Sequence, residues 1–335
     1  MKVNIFDVAR KSGLSVVTVS RVINNADTVR EKNRTKVLEA MKELGYHPSA
    51  AARSLALGKT GVIGLTIMTL NDSFLDAVVK EINDKLAAHR YLLALFISQE
   101  DESDLRNAIF QEDRVDGMIV LSPANETRYA EELTRKDIPY VFIDNQLESS
   151  EAPSVQVDNF RGGYDATKHL IDLGHREIAH ISGPAPFLSS KERVRGYLAA
   201  MEEAGLAPRI EQGNFDIPSG SEIAENWIKE GELPTAIFAA DDMMAFGVMD
   251  ALKNGGLRIP DDVSVVGYDD QLFSAQFRPR LTTVSQPVGR IGTEAIELLL
   301  KRIGNAEPKQ QRYEPLKLQP ELIVRESTSV PRLRG

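Results

Sequence analysis

Three aspartates close short apolar runs. Asp144 follows Tyr140 to Ile143, Asp241 follows Ala236 to Ala239 with one alanine between, and Asp269 follows Val263 to Tyr268. Runs of this length bounded by polar residues read as buried strands, and a carboxylate just past the carboxyl end of a parallel strand stands where open α/β sheets bind ligands. There it accepts hydrogen bonds from pairs of ligand hydroxyls. Asp144 and Asp241 are equally placed to cap the helices that follow them. The doublets Asp241-Asp242 and Asp269-Asp270 also have the composition of a metal site or an acid/base pair. Neither gathers partners: His47, His89, His169, His175 and His180 stand singly, there is no cysteine, and no phosphate-binding loop or G-x-G-x-x-G fingerprint occurs. No catalytic residue, metal or cofactor is therefore expected, and the histidines read as packing or helix-end residues.

A second chemistry sits near the amino terminus. Ser15 caps a helix in which Val19, Val22 and Ile23 face inward, leaving Val16, Val17, Ser20 and Arg21 outward. Before it, Asn4 caps a helix with Ile5, Val8 and Ala9 inward, ended by Gly13. A third helix is expected from Thr28, with Thr28 and Glu31 as a capping box, a stripe of Val37, Leu38, Met41 and Leu44, and a stop at Gly45. Two short helices joined by a tight turn are the unit that lays its second helix in the DNA major groove. Charge agrees: residues 1–60 carry a balance of +6 and the remainder −15. A basic head on an acidic body turns the head toward phosphate.

The elements that must position the aspartates occupy the other 275 or so residues, more than one typical core, and suggest two lobes. Apolar runs alternate with helical patterns from Gly61 onward, the signature of parallel sheets with crossover helices. Strands are predicted at Val62 to Ile67, Tyr91 to Phe96, Met118 to Leu121, Tyr140 to Ile143, Ile178 to Ile181, Ala236 to Ala239 and Val263 to Val266. Helices are predicted at Leu75 to Ala88, Tyr164 to Leu173, Arg193 to Ala204, Met243 to Asn254 and Ile291 to Ile303. No run of eighteen apolar residues occurs and Met1-Lys2-Val3-Asn4 lacks a signal-peptide pattern, so a soluble cytoplasmic protein with no membrane partner is expected.

Asp7-Val8-Ala9, Gly13-Leu14-Ser15, Thr18 through Asn24, Gly45-Tyr46, Pro48-Ser49-Ala50 and Ala52-Arg53-Ser54-Leu55 closely resemble the head of the LacI/GalR family of bacterial transcriptional regulators, and the likeness continues along nearly the whole chain. The resemblance implies an all-α helix-turn-helix headpiece joined to an α/β core of two doubly wound parallel sheets, like the periplasmic sugar-binding fold. The division it implies is 1–47 for the DNA-binding domain and 48–60 for hinge helix and linker, then 61–157 plus 288–315 for the first lobe, 158–287 plus 316–328 for the second, and a tail at 329–335. A last strand is expected near Leu322 to Arg325.

Carried over by position, Val16 and Val17 are the variable base-reading residues, Arg21 the arginine that contacts a base, and Thr18, Ser20 and Asn24 the phosphate contacts. Two valines can read only thymine methyls and groove shape, whereas arginine can be bidentate to guanine. The hinge would fold on DNA, pair with its twin across the dimer axis through small residues such as Ala52, and wedge Leu55 into the minor groove. The ligand positions fall on Phe74, Asp144, Ser189, Arg193, Phe215, Asp241, Asp269 and Gln286, of which Arg193, Asp241 and Asp269 carry most weight. Carboxylates, an arginine and an aromatic face suit a neutral sugar.

At Phe187 the chain departs from the purine-responsive branch, which has a charged residue there, so a nucleobase effector is less expected. The short proline-containing end, Thr328 to Gly335, has no leucine heptad, so a homodimer on a pseudo-palindromic operator is expected. Its interface would come from Phe74 to Ala88 and the Met118 to Thr134 region. The resemblance thus implies a repressor controlled by a small molecule between the lobes. The alternatives are a catabolite-control-type regulator governed by a phosphorylated partner protein, or a nucleobase- or nucleoside-responsive repressor. An α/β enzyme or an exported solute binder fits less well, since neither nucleophile nor export signal is present.

Overall fold

The computed structural model describes residues 3–24, 26, 28–47, 58–69, 73–98, 114–122, 125–144, 152–304 and 314–332. They form two compact units, Met1–Gly61 with Asp113–Asp116, and Val62–Glu112 with Gly117–Gly335. The hinge positions Ala52 and Leu55 lie outside the described residues.

The first unit contains α1 (Ile5–Ser12), α2 (Val16–Ile23) and α3 (Glu31–Leu44). Asn4 accepts from the backbone N–H groups of Phe6 and Asp7, and Asp7 accepts from the Asn4 N–H at 3.1 Å, a reciprocal cap. Ser15 Oγ accepts from Thr18 N–H at 3.2 Å at the start of α2, a cap whose loss costs about 1 kcal/mol. Gly13 and Gly45 end α1 and α3 in the left-handed conformation. Six residues, Val8, Ala9, Val19, Val22, Val37 and Ala40, make the buried centre.

Two expectations for α3 are corrected. It begins after Arg30 with no side-chain cap, so the Thr28-Glu31 capping box does not form. Leu38 is 52% exposed, and the inward stripe is Val37, Ala40, Met41 and Leu44. Those positions follow the i, i+3, i+4, i+7 spacing, from which Leu38 is rotated by one residue's turn.

The second unit contains β1 (Val62–Ile67), α4 (Ser73–Ala88), β2 (Leu92–Ile97), β3 (Gly117–Leu121), α5 (Glu126–Arg135), β4 (Tyr140–Ile143), β5 (Ser154–Val157), α6 (Asn159–Asp172), β6 (Ile178–Ser182), α7 (Leu188–Glu203), β7 (Arg209–Gln212), α8 (Ile217–Glu230), β8 (Ala236–Ala239), α9 (Asp242–Asn254), β9 (Ser264–Asp269), a 3-10 turn (Leu272–Ala275), β10 (Thr282–Ser285), α10 (Val288–Gly304), β11 (Leu316–Leu318) and β12 (Glu321–Ile323). They build two six-stranded sheets, ordered β11-β5-β4-β3-β1-β2 and β12-β10-β9-β8-β6-β7. Among the described residues every strand pairing is parallel except that of β10 with the edge strand β12. Central strands β3, β4 and β8 are buried along their whole length, as strands covered on both faces must be. The first core packs Ile63, Leu65, Ile119 and Val141 against Ile82 of α4 and Leu299 of α10. The second has two layers, Trp227 and Met244 on one face, Tyr197, Phe238 and Tyr268 on the other.

The chain passes between sheets after Val157, after Ser285 and between Leu318 and Glu321. The last passage corrects the boundary expected at 315. Leu316–Leu318 pairs with β5 and buries Leu318 in the first core, so Gln319-Pro320 makes the crossing. Among the described residues no helix is long and apolar enough to cross a membrane.

Candidate functional site

Arg193 is placed by the close approach of α6 and α7. A β-carbon on Gly163 would collide with the Arg193 carbonyl oxygen, and one on Gly196 with the Phe160 carbonyl oxygen. Two glycines therefore let the helices touch backbone to backbone and seat Arg193 with 4% exposure. Its Nε donates to Asn159 Oδ1 at 2.9 Å, Nη1 donates to the Ala240 carbonyl at 2.5 Å, and Nη2 reaches Asp269 Oδ1 at 3.4 Å. The guanidinium lies 3.7 Å from the centroid of the Tyr268 ring. Gln286 Nε2 donates to the same Asp269 oxygen at 2.6 Å. Burial disfavours the charge on Arg193, but Asp269, Tyr268, Asp144 and Asp241 together raise its pKa.

Asp241 caps α9, accepting from Met244 N–H at 2.8 Å, and is 4% exposed. Capping and a place in the pocket are thus compatible. Burial, then the neighbouring Asp269 carboxylate, push its pKa well above the usual carboxylate range. From the other lobe, Asp144, at φ 52°, accepts from Ser122 Oγ at 2.8 Å. A cavity of about 340 Å³ is lined by Asp144, Asn159, Ser189 and Lys317 among others, but not by Arg193, Asp241, Asp269 or Gln286; it meets that cluster through Asn159, the acceptor of Arg193 Nε. Carboxylates, amides and one guanidinium at the strands' carboxyl ends suit a polar ligand rich in hydroxyl or N–H donors.

The remaining candidates are placed differently. Phe74 is in the first turn of α4, packed against the first core. Phe215, at φ 57°, packs on the second core and edge-on to Phe187, with ring centroids 5.9 Å apart, and occupies the space a β-carbon on Gly183 would take. Sequence reasoning missed Asn159, Tyr268 and Ser122. Asn159 follows a four-residue, half-polar strand that shows no apolar run, and Tyr268 reads only as one more strand residue. Neither aspartate doublet forms a metal site: among the described residues no group of three or more His, Cys, Asp or Glu is arranged to hold an ion. Asp242 bonds to the chain after Asp269, and Asp270 pairs with Arg325 at 2.6 Å.

The histidines are structural where they are buried. His175 bonds to Thr235, Ser264 and the Ser329 carbonyl, and His180 is stacked between Tyr197 and Phe238, with burial lowering its pKa to about 4. A hollow of about 380 Å³ beside His175, Thr235 and Asp262 lies at the amino ends of the strands, away from the pocket aspartates.

On the first unit, α2 presents Val17, 61% exposed, and Arg21, also exposed and in no ion pair among the described residues. Val16 is half-buried against the headpiece core, which corrects the reading of both valines as equally outward. Thr18 shares its hydroxyl with Ser15 at 2.9 Å, Ser20 is half-buried, and Asn24 caps the carboxyl end of α2. Exposed Phe6, 63% accessible, adds a large apolar side chain to this unit.

Comparison with known proteins agrees with both halves. A model of the bacterial regulatory proteins of the lacI family matches residues 4–49, and a model of the periplasmic binding protein-like domain matches residues 167–328. The chain is 39% identical over 327 residues to the HTH-type transcriptional repressor PurR of Vibrio campbellii, covering 95% of this chain and 96% of that one. It is 37% identical to catabolite control protein A of Priestia megaterium, covering 90% and 92%. A lac repressor dimer bound to operator and the anti-inducer ONPF superposes with TM-score 0.87 at 29% identity, covering 98% and 100%. With similarity at this level along the whole length, the chain belongs to the lacI family of bacterial regulatory proteins, as a DNA-binding transcriptional repressor and not an enzyme.

Proposed function

We propose that this repressor binds a pseudo-palindromic operator as a homodimer, and that a small neutral sugar held between the lobes sets its affinity for that operator. The observation that supports this most is the buried Arg193, shared between Asn159 and Asp269 over the Tyr268 ring, with Asp241 and Gln286 beside it. Buried carboxylates accept from vicinal hydroxyls, and the Phe187 and Phe215 rings supply apolar faces for sugar C–H groups. The headpiece reads DNA with Arg21 and Val17, Val16 lending methyl surface at the core's edge, while Thr18, Ser20 and Asn24 meet phosphates. Ala52 and Leu55 enter the minor groove. The protein works in the cytoplasm, where its operator is.

The similarity to PurR favours a second reading, a nucleobase whose ring N–H groups donate to the same carboxylates. Thermal shift of the full-length protein against mono- and disaccharides, their phosphates and nucleobases separates the two. A ligand at about 100 times its dissociation constant adds about 2.7 kcal/mol. A neutral sugar is expected to raise the melting temperature, and Arg193→Ala to abolish the shift. Stabilisation by nucleobases alone would establish the second reading, and by sugar phosphates alone would contradict both.

A further inference from the structure

The Asp241-Asp242 doublet divides its labour. Asp241 caps α9 beside Asp269, whereas Asp242 has no exposed surface and points at the connection that follows Asp269. Its Oδ2 accepts from Gln271 N–H at 2.8 Å and Ser274 Oγ at 2.5 Å, and its Oδ1 accepts from Thr283 Oγ1 at 2.6 Å. Room for the carboxylate depends on Gly267, where a β-carbon would collide with Asp242 Oδ1.

The connection it holds needs holding. Asp269 and Asp270 stand at φ 101° and 54°, both in the left-handed region that non-glycine residues avoid. Such residues are costly and persist only where the surroundings over-determine them. Three ties flank this pair: Asp242 on Gln271 N–H, Thr283 Oγ1 on Asp270 N–H at 3.4 Å, and Arg325 on the Asp270 carboxylate at 2.6 Å. Thr283 also donates to Asp242, so two of the ties share one buried carboxylate. At the other end of the strained pair, Asp269 presents Oδ1 to Arg193 and Gln286.

We propose that Asp242 is a positioning residue of the effector pocket, whose carboxylate locks the strained Asp269-Asp270 turn and so sets the Asp269 carboxylate against Arg193. The role in effector binding rests on the pocket assignment above, but the lock itself can be tested without ligand. Burial holds the Asp242 pKa near about 7 against a usual 3.8. A raised carboxylate pKa means that the folded state binds the proton more tightly than the unfolded one, so this group's contribution to stability falls as pH climbs from about 4 to about 7. Removing the acceptor altogether also strands Gln271 N–H and the Ser274 and Thr283 hydroxyls, so Asp242→Ala is expected to lower the melting temperature and Asp242→Asn, which keeps a side-chain acceptor, to lower it less.

Hydrogen exchange by mass spectrometry on the unliganded full-length protein is the test, with Asp242→Ala, Asp242→Asn and the milder Ser274→Ala. In Asp242→Ala, exchange in peptides spanning 269–277 is expected to rise at least tenfold more than in the rest of the second sheet, whatever the fall in melting temperature, and in Asp242→Asn to rise less. Ser274→Ala should show a smaller rise in the same segment. The Gln286 side-chain amide resonance, which reports the 2.6 Å bond to Asp269, should shift in Asp242→Ala and return toward its original position in Asp242→Asn, which keeps an acceptor at this site. Unchanged exchange at 269–277, a rise there no larger than in the rest of the second sheet, or an unmoved Gln286 amide resonance would each overturn the proposal. If these results hold while no compound in the panel binds, the pocket assignment fails and the lock stands.

Discussion

At the scale of single residues, the proposed DNA and effector recognition rests on two arginines in opposite settings. Arg21 is exposed, with its guanidinium clear of ion pairs among the described residues, while Arg193 is buried and fully engaged. A free guanidinium can be bidentate to a guanine, and one such pair is worth about 1–3 kcal/mol of discrimination. Arg21→Ala is therefore expected to lose roughly 5- to 150-fold in preference for the cognate base at one position per half-site, while binding to non-cognate DNA falls far less. Competition titrations with single-position operator variants measure this, and an unchanged preference at every position would remove Arg21 from base reading. Arg193 and the aspartates near it were legible in sequence because they stand at strand ends or at family pocket positions. Their partners were not: Asn159 and Ser122 matter through the atoms they face, and facing is a property of the fold.

At the scale of elements, the apolar patterns of β1, β4 and β8 coincide with their observed bounds, since strands covered on both faces read as unbroken apolar runs. β7 and β11 escaped: β7, Arg209–Gln212, is largely exposed, β11 has three residues, and neither has a periodicity to read. β12, Glu321–Ile323, lies close to the strand that the resemblance implied near Leu322 to Arg325. Helix starts were read late for a related reason: α7 begins at Leu188 rather than Arg193 because Ser189, Ser190 and Arg193 are buried polar residues that no apolar stripe marks. The α6–α7 contact that carries Arg193 supplies a test at this scale. Gly163→Val puts side-chain atoms where the Arg193 carbonyl stands, and overpacking costs typically about 1–3 kcal/mol. The expected result is a lowered melting temperature together with a loss of effector binding larger than that of operator binding. Equal loss of both would mean that the helix contact supports the fold and not the pocket.

At the scale of the whole molecule, the proposed effector pocket and α2, the proposed DNA-reading helix, belong to different compact units, so control of one by the other must be a linkage. An effector shifts operator affinity only by its differential affinity for the DNA-binding and non-binding conformations, and operator shifts effector affinity by the same factor. The three chain passages between the sheets give the lobes a shared set of crossing segments through which closure around a ligand can act. The most direct measurement is the dissociation constant for an operator selected from random DNA, taken by fluorescence anisotropy with and without a saturating stabilising compound from the panel, for the native chain and Arg193→Ala. A change of about 5- to 150-fold in the native chain, corresponding to a coupling of about 1–3 kcal/mol, is expected to vanish in Arg193→Ala. Operator affinity that is the same with and without the bound compound in the native chain would contradict control through this pocket.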